Sequence, residues 1–431
     1  MEIEVHYIES HITRTYCSEK RVHVRPVIIK EATAAMNGPR KGMKEICDYF
    51  VGDLTPFALT KQPRFGNIGS WNSDLFFIPV RPLLGDLCLW SGHYEEAARW
   101  YNSYLNDKEQ PVRQNYSSRI YWNNPSEFQY PVDGYYASGS NEVLSIIPME
   151  QRIFDGNVSD LQNVFCSTRE NNYFYQLTPS SAMYRLSASQ VNCLRWENTS
   201  TGLVDTIYVP QTGLSENYYV GDLRLSSNFR QSSIGGQDPY SDLSSIRQTI
   251  SKITRWENLV PTYRTTMVYL RYAEALNRAG LPQSAMTVLK YGICQENITN
   301  YVDSIEQLKA GDLITFDATE FTRETTRGIH SRGSGDSECN LYYVLPLPEQ
   351  PLATRQDTIN WQVPRVEDLI VNEMALEGAF EGYRFYDLMR VALRRSDPDY
   401  LAAPISRRNG TEDPQLHQLL MDANNWYLPI K

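Results

Sequence analysis

Two stretches of this chain carry the same residue types at the same offsets, and that duplication constrains the fold more than any other feature. The first is PVRPLLGDLCLWSGHYEEAARWYNSYL, Pro79 to Leu105. The second is MVYLRYAEALNRAGLPQSAMTVLKYGI, Met267 to Ile293. Leu84, Gly85 and Cys88 share one helical face in the first copy, as Tyr272, Ala273 and Leu276 do in the second. Gly92 and Gly280 follow as turns, then Ala97 with Tyr101, and Ala285 with Leu289. Every matched pair lies 188 residues apart, for example 85 and 273. A small residue at the crossing lets two helices approach closely, and a glycine at the turn adopts a left-handed conformation without steric penalty.

This is the grammar of tetratricopeptide (TPR) helix pairs, although ordinary arrays repeat every ~34 residues. The bland alternative is two unrelated helical hairpins. Between the copies, from about 106 to 261, the chain is rich in Asn, Ser, Tyr, Gly and Pro. That insertion reads as loops with short strands and helices. VDTIYV (Val204–Val209) reads as a strand, and LYYVLPL (Leu341–Leu347) as an edge strand at most, because of Pro346. VEDLIVNEMALEGAFEGYRFYDLMRVALRR predicts one further helix over 366–395. On it Ala375, Leu376, Ala379, Phe380 and Tyr383 share an arc. Glu373, Glu377 and Glu381 form a stripe off that arc, with Arg384 in reach of Glu381.

The expected fold class is therefore mainly α, with TPR-like helix pairs packed against an irregular loop-rich lobe containing a few short strands. The domain reading is an atypical amino-terminal remnant over 1–40 and one main domain over 41–431. Within the latter, 41–105 and 262–300 are helical, 106–261 is the insertion and 366–395 the carboxy-terminal helix.

A formal charge of −10 argues against a duplex nucleic-acid binder, which needs a basic face. Seven cysteines without a CxxC pair exclude a zinc framework or a dense disulfide scaffold, and Cys88 reads as a small core residue. There is no HExxH, GxSxG or Walker phosphate loop. GIHSRGSGD, Gly328 to Asp336, lacks the Lys-Ser/Thr ending of a phosphate loop and reads as a polar turn. The Glu373, Glu377, Glu381 stripe lies on one face and does not clasp a substrate as a glycosidase pair does. It reads as solvated or paired with arginine. No cofactor is expected. Oxygen ligands for calcium come from scattered loops, so a structural calcium stays open.

The aromatic usage points to binding. The chain has 29 Tyr and 8 Trp against 14 Phe. Tyr and Trp combine an apolar face with a polar edge. Set among Asn, Asp, Arg and Ser on loops, they suit a pyranose, whose ring face stacks and whose hydroxyls accept and donate hydrogen bonds. The glycan-binding candidates are Trp71 with Asn72, then Tyr116, Arg119, Tyr121 and Trp122, then Tyr135 with Tyr136. Packing beneath a loop is the alternative for each.

Four stretches together resemble the SusD/RagB family: IPVRPLLGDLCLWSGHYEEAARWYNSYL, NEVLSIIPMEQRIFDGNVSDLQNVF (Asn141–Phe165), YRTTMVYLRYAEALNRAG (Tyr263–Gly280) and NEMALEGAFEGYRFYDLMR (Asn372–Arg390). GIHSRGSGD and the terminal NNWYLPI are similar too. The resemblance covers roughly Lys41 to the end. It implies a noncatalytic nutrient-binding protein, usually of glycans, that lids a SusC-like TonB-dependent transporter as a surface lipoprotein of the outer membrane. Members carry a signal peptide and a lipidated cysteine. Neither is visible in Met1 to about Pro26, and Cys17 follows no apolar stretch, so the reading is an amino-terminally truncated member. The second hypothesis is a TPR-type protein-interaction scaffold with no small-molecule site.

Overall fold

The computed structural model describes residues 41–68, 71–107, 121–124, 127–129, 142–148, 180–197, 200–209, 221–222, 224, 229–233, 246–250, 259–323, 325–335 and 340–427. Its scaffold is mainly α. The helices used below are α1 (Met43–Leu54), α2 (Val80–Ser91), α3 (Tyr94–Leu105), α4 (Thr265–Arg278), α5 (Pro282–Met286), α6 (Arg355–Glu377) and α7 (Arg384–Arg395). All lie within Met43–Lys431, which groups as one unit.

The duplication in the sequence is a duplication of backbone. Helix α2 ends at Gly92, φ +87°, and His93 N donates back to Cys88 O at 2.8 Å. Helix α4 ends the same way, with Gly280 at φ +78° and Leu281 N donating to Leu276 O at 3.0 Å. Both are left-handed terminations that return the chain for an antiparallel partner. The following helices open alike, Ala97 N to His93 O at 2.9 Å and Ala285 N to Leu281 O at 3.0 Å. The copies diverge only later, where α5 runs into a π-helical turn at Thr287–Tyr291.

At the crossing of α2 and α3, a Cβ on Gly85 would sit 2.5 Å from the Tyr101 ring. Gly85 is therefore the hole into which Tyr101 fits. The Tyr101 hydroxyl donates to Asp86 at 2.5 Å, and Asp86 also accepts from Tyr263 at 2.8 Å and from Arg271. Although the two helix pairs are distant in sequence, α3 packs directly on α4. Cys88, Ala97, Tyr101, Tyr104, Tyr272, Ala273, Leu276 and Leu289 belong to one buried cluster. The chain between them departs from and returns to a continuous helical stack. A smaller cluster joins α7 to the helices Asp399–Ser406 and Pro414–Leu420.

The described strands form two-stranded antiparallel pairs. Val204–Val209 is a strand as expected, paired in register with Asn192–Glu197. Val143–Pro148 pairs with Leu259–Arg264, which leads straight into α4.

Three expectations are corrected. The helix over 366–395 is two helices: α6 begins earlier, at a Thr354 capping box with Asp357, and ends at Glu377. Phe380 (φ +66°) and Gly382 (φ +84°) then turn the chain before α7 begins, so the arc from Ala375 to Tyr383 is not one face. Leu341–Leu347 forms no strand. The Asn340 carboxamide oxygen accepts from Tyr342 N and Tyr343 N at 2.9 and 3.2 Å, a local turn that competes with a ladder, and Pro346 and Pro348 follow. Finally, GIHSRGSGD is more than a polar turn: Ser331–Ser334 within it is a buried helical turn.

Gly85→Leu forces a branched side chain into the space of the Tyr101 ring and is expected to lower unfolding free energy by about 1–3 kcal/mol or more. Gly85→Ala should cost less, and adding Tyr101→Leu should recover part of the loss. Thermal melts of the three variants measure this; an unchanged melting temperature for Gly85→Leu would exclude the helix crossing.

Candidate functional site

Two features bear on binding: the aromatic candidates and a buried ionic centre built mostly from residues of the carboxy-terminal half. Trp71 and Asn72 form one arm of a two-residue hairpin, paired as Ile68 to Trp71 and Asn67 to Asn72. The Trp71 ring is only 8% exposed and packs with Val143 and Ile146, flanked by Leu75 and Phe76. This corrects the expectation of an open stacking face, because the indole seals the base of the hairpin instead. Asn72 is half-buried and its side-chain oxygen accepts from Arg64 Nε at 3.2 Å. Tyr121 and Trp122 sit on a short strand opposite Gln129 and Phe128. Tyr116, Arg119, Tyr135 and Tyr136 lie outside the described residues.

The glutamate stripe is neither solvated nor a set of open carboxylates. Arg224 reaches Glu373 at 2.6 Å, Asp222 at 2.7 Å and Glu377 at 3.2 Å. Arg264, itself fully buried, reaches Glu142 at 2.6 Å, Glu377 at 3.1 Å and Glu381 at 2.8 Å. Arg332 adds bonds to Glu377 at 3.1 Å and Glu142 at 3.4 Å. His330 Nδ1 lies 3.0 Å from Glu373, and its ring stacks on Tyr343 at 3.6 Å between centroids. Gly333 completes the packing: a Cβ there would fall 1.9 Å from an Asp222 carboxylate oxygen. Glu381 lies beyond the end of α6 and is held by Arg264, while the expected partner, Arg384, donates to Val371 O at 2.8 Å.

Burial alone would raise the Glu373 pKa; the Arg224 guanidinium and the adjoining His330 outweigh it, and the carboxyl falls to about 2. A second centre joins α4, α6 and α7. There Glu274 accepts from Arg390 at 2.7 Å and Arg394 at 2.9 Å, and burial is again outweighed by these arginines, leaving Glu274 at about 2. Glu367 takes Arg278, Arg394 and Arg395 on the same side.

Chemically, these carboxylates have no open face toward a substrate: Glu373 is 1% and Glu377 3% exposed. Their role is to tie segments together. No group of three or more His, Cys, Asp or Glu able to hold a metal occurs among the described residues. Likewise, among those residues no helix is long and apolar enough to cross a membrane. Sequence reasoning missed Arg224, Arg264, His330 and Arg332. The available signal was the recurrence of Glu373, Glu377 and Glu381 every four residues, with His330 and one arginine, Arg332, in GIHSRGSGD to match.

Removing one buried partner leaves the others uncompensated, so Glu377→Gln is expected to cost about 3–5 kcal/mol. The exposed control Glu349→Gln should change stability by less than about 0.5 kcal/mol. Urea midpoints measure both. Because the folded pKa values of Glu373 and Glu274 lie near 2, below the ordinary 4.5, their stabilisation is complete above 4.5 and is lost as pH falls from 4.5 toward 2. Urea midpoints should drop across that window, and the drop should be shallower in Glu373→Gln.

No curated protein matches the chain. Among solved structures, a SusD-like carbohydrate binding protein from Bacteroides fragilis is 13% identical with TM-score 0.46, over 89% of this chain and 67% of that one. A SusD-like carbohydrate binding protein from Bacteroides vulgatus is also 13% identical, with TM-score 0.42, over 84% of this chain and 54% of its own. A SusD superfamily protein from Bacteroides thetaiotaomicron is 14% identical, with TM-score 0.42, over 80% of this chain and 55% of its own. The chain thus spans little more than half the length of the last two. The SusD family model matches residues 196–431, more than half of the sequence and all of α4 to α7, and on that match the chain belongs to the SusD family.

Proposed function

We propose that this chain captures a glycan at the cell surface without cleaving it and hands it to a SusC-like TonB-dependent outer-membrane transporter. The family match over residues 196–431 carries this reading. The abundance of Tyr and Trp on polar segments supports it from the chemical side, since such side chains stack on sugar rings at little entropic cost. In this reading the protein is a surface lipoprotein, needs no cofactor, and uses Asn72, Tyr116, Arg119, Tyr121, Trp122, Tyr135 and Tyr136 as candidate contacts. The burial and pairing of Glu373 and Glu377 agree with a binding role rather than a hydrolytic one.

Native electrophoresis through gels containing soluble polysaccharides tests the proposal. The chain should be retarded by at least one polysaccharide, Trp122→Ala should be retarded less, and no reducing ends should accumulate. Unhindered migration in every gel would favour the helical scaffold as a protein-binding surface. Release of reducing ends that a carboxylate variant abolishes would overturn the noncatalytic reading.

A further inference from the structure

The hairpin that buries Trp71 presents two other rings outward. Phe65 is 60% and Phe77 37% exposed, and their centroids lie 6.3 Å apart with planes inclined at 63°. Phe76 turns inward against the Trp71 cluster while its neighbour Phe77, in extended conformation, turns out. Two large apolar rings held in water need a reason, because burial of each would be favourable.

The two rings meet edge to face, and the backbone beneath each is fixed. Phe65 N donates to Ser73 Oγ at 2.7 Å, and Ser73 N donates to Gly66 O at 3.0 Å. On the other side Phe77 N donates to Asp74 O at 3.3 Å, and the Gln62 carboxamide donates to Asp74 O at 3.0 Å and to Phe77 O. Polar groups flank the platform. Arg64 bonds Asn72 at 3.2 Å and lies 3.8 Å from Asp74, with 70% of its side chain exposed.

We propose that Phe65 and Phe77 form a stacking platform for one ring of a neutral glycan, with Arg64, Asn72 and Asp74 bonding its hydroxyls. This rests on the glycan-capture reading above and names residues for it. Two rings offer far less than the ~800 Å² that a stable protein interface takes from each partner, and they match the scale of a single pyranose face. The adjacent Asp74 offsets the Arg64 charge, which favours a neutral sugar over a uronate.

The test uses the full chain, Phe65→Ala, Phe77→Ala and Phe65→Trp in affinity gels of soluble starch, xyloglucan, galactomannan and polygalacturonate. Each alanine variant should keep its melting temperature and bind the retarding neutral polysaccharide roughly threefold to tenfold more weakly. Phe65→Trp should restore retardation, and its added emission should shift to the blue when that polysaccharide is titrated in. Wild-type retardation that both alanine variants retain in full would overturn the platform and leave glycan capture standing. Retardation by polygalacturonate alone would overturn the neutral-sugar assignment. If no gel retards the wild type, the capture reading fails and the platform with it.

Discussion

A buried carboxylate must find cations or give up its charge, and Glu377 meets that demand from three directions. Arg224, Arg264 and Arg332 approach it from three separate segments, at 3.2, 3.1 and 3.1 Å. Through Arg264 and Arg332 the network extends to Glu142, and through Arg224 to Asp222 and Glu373. The end of α6, the start of α4, the turn at 330–334 and two pieces of the insertion thus meet at one point. Such a centre adds little net stability over a well-packed apolar core, but it is unforgiving of misplacement. A segment shifted by one residue would leave a charge unpaired in the interior, at a cost of several kcal/mol. The centre therefore specifies how the irregular lobe seats on the helices.

The helical scaffold was legible because its information is local. The 188-residue offset predicted a shared helix–turn–helix, and the fold repeats it down to single hydrogen bonds, His93 to Cys88 and Leu281 to Leu276. Gly85 and Gly92 could be read as a close approach and a left-handed turn because glycine has a specific reason to occupy each. The break at Gly378–Tyr383 was legible only in its two glycines, Gly378 and Gly382, which the helical pattern on either side masked. Helix-forming residues surround it, and Phe380 takes a left-handed conformation that its side chain alone would disfavour. Gly378 caps α6 and Gly382 turns the chain at φ +84°, and Glu381 between them is held by Arg264. That partner is 117 residues away, and no periodicity reports it.

The candidate site was less legible for a related reason. An aromatic residue in a polar segment can face either way, and composition does not distinguish them. Trp71 went inward because Val143 and Ile146, on a strand far along the chain, supply its pocket. Phe65 and Phe77, which carry no polar edge, went outward. Likewise GIHSRGSGD read as a polar turn, whereas its His330 and Arg332 are buried because their partners are.

The insertion leaves the stack after α3 and rejoins it at α4, and those two helices pack on one another. In architectural terms it is a loop whose two ends are already clamped together. A chain so arranged can exchange or lengthen that segment at small cost in loop-closure entropy, about 0.6 kcal/mol per doubling. The ionic centre sets the terms of any such exchange. A replacement must return one carboxylate where Glu142 stands and an acid–arginine pair where Asp222 and Arg224 stand, or leave Arg264, Glu373 and Glu377 facing the interior without them. Recognition can diversify on this scaffold, but only between fixed electrostatic anchor points.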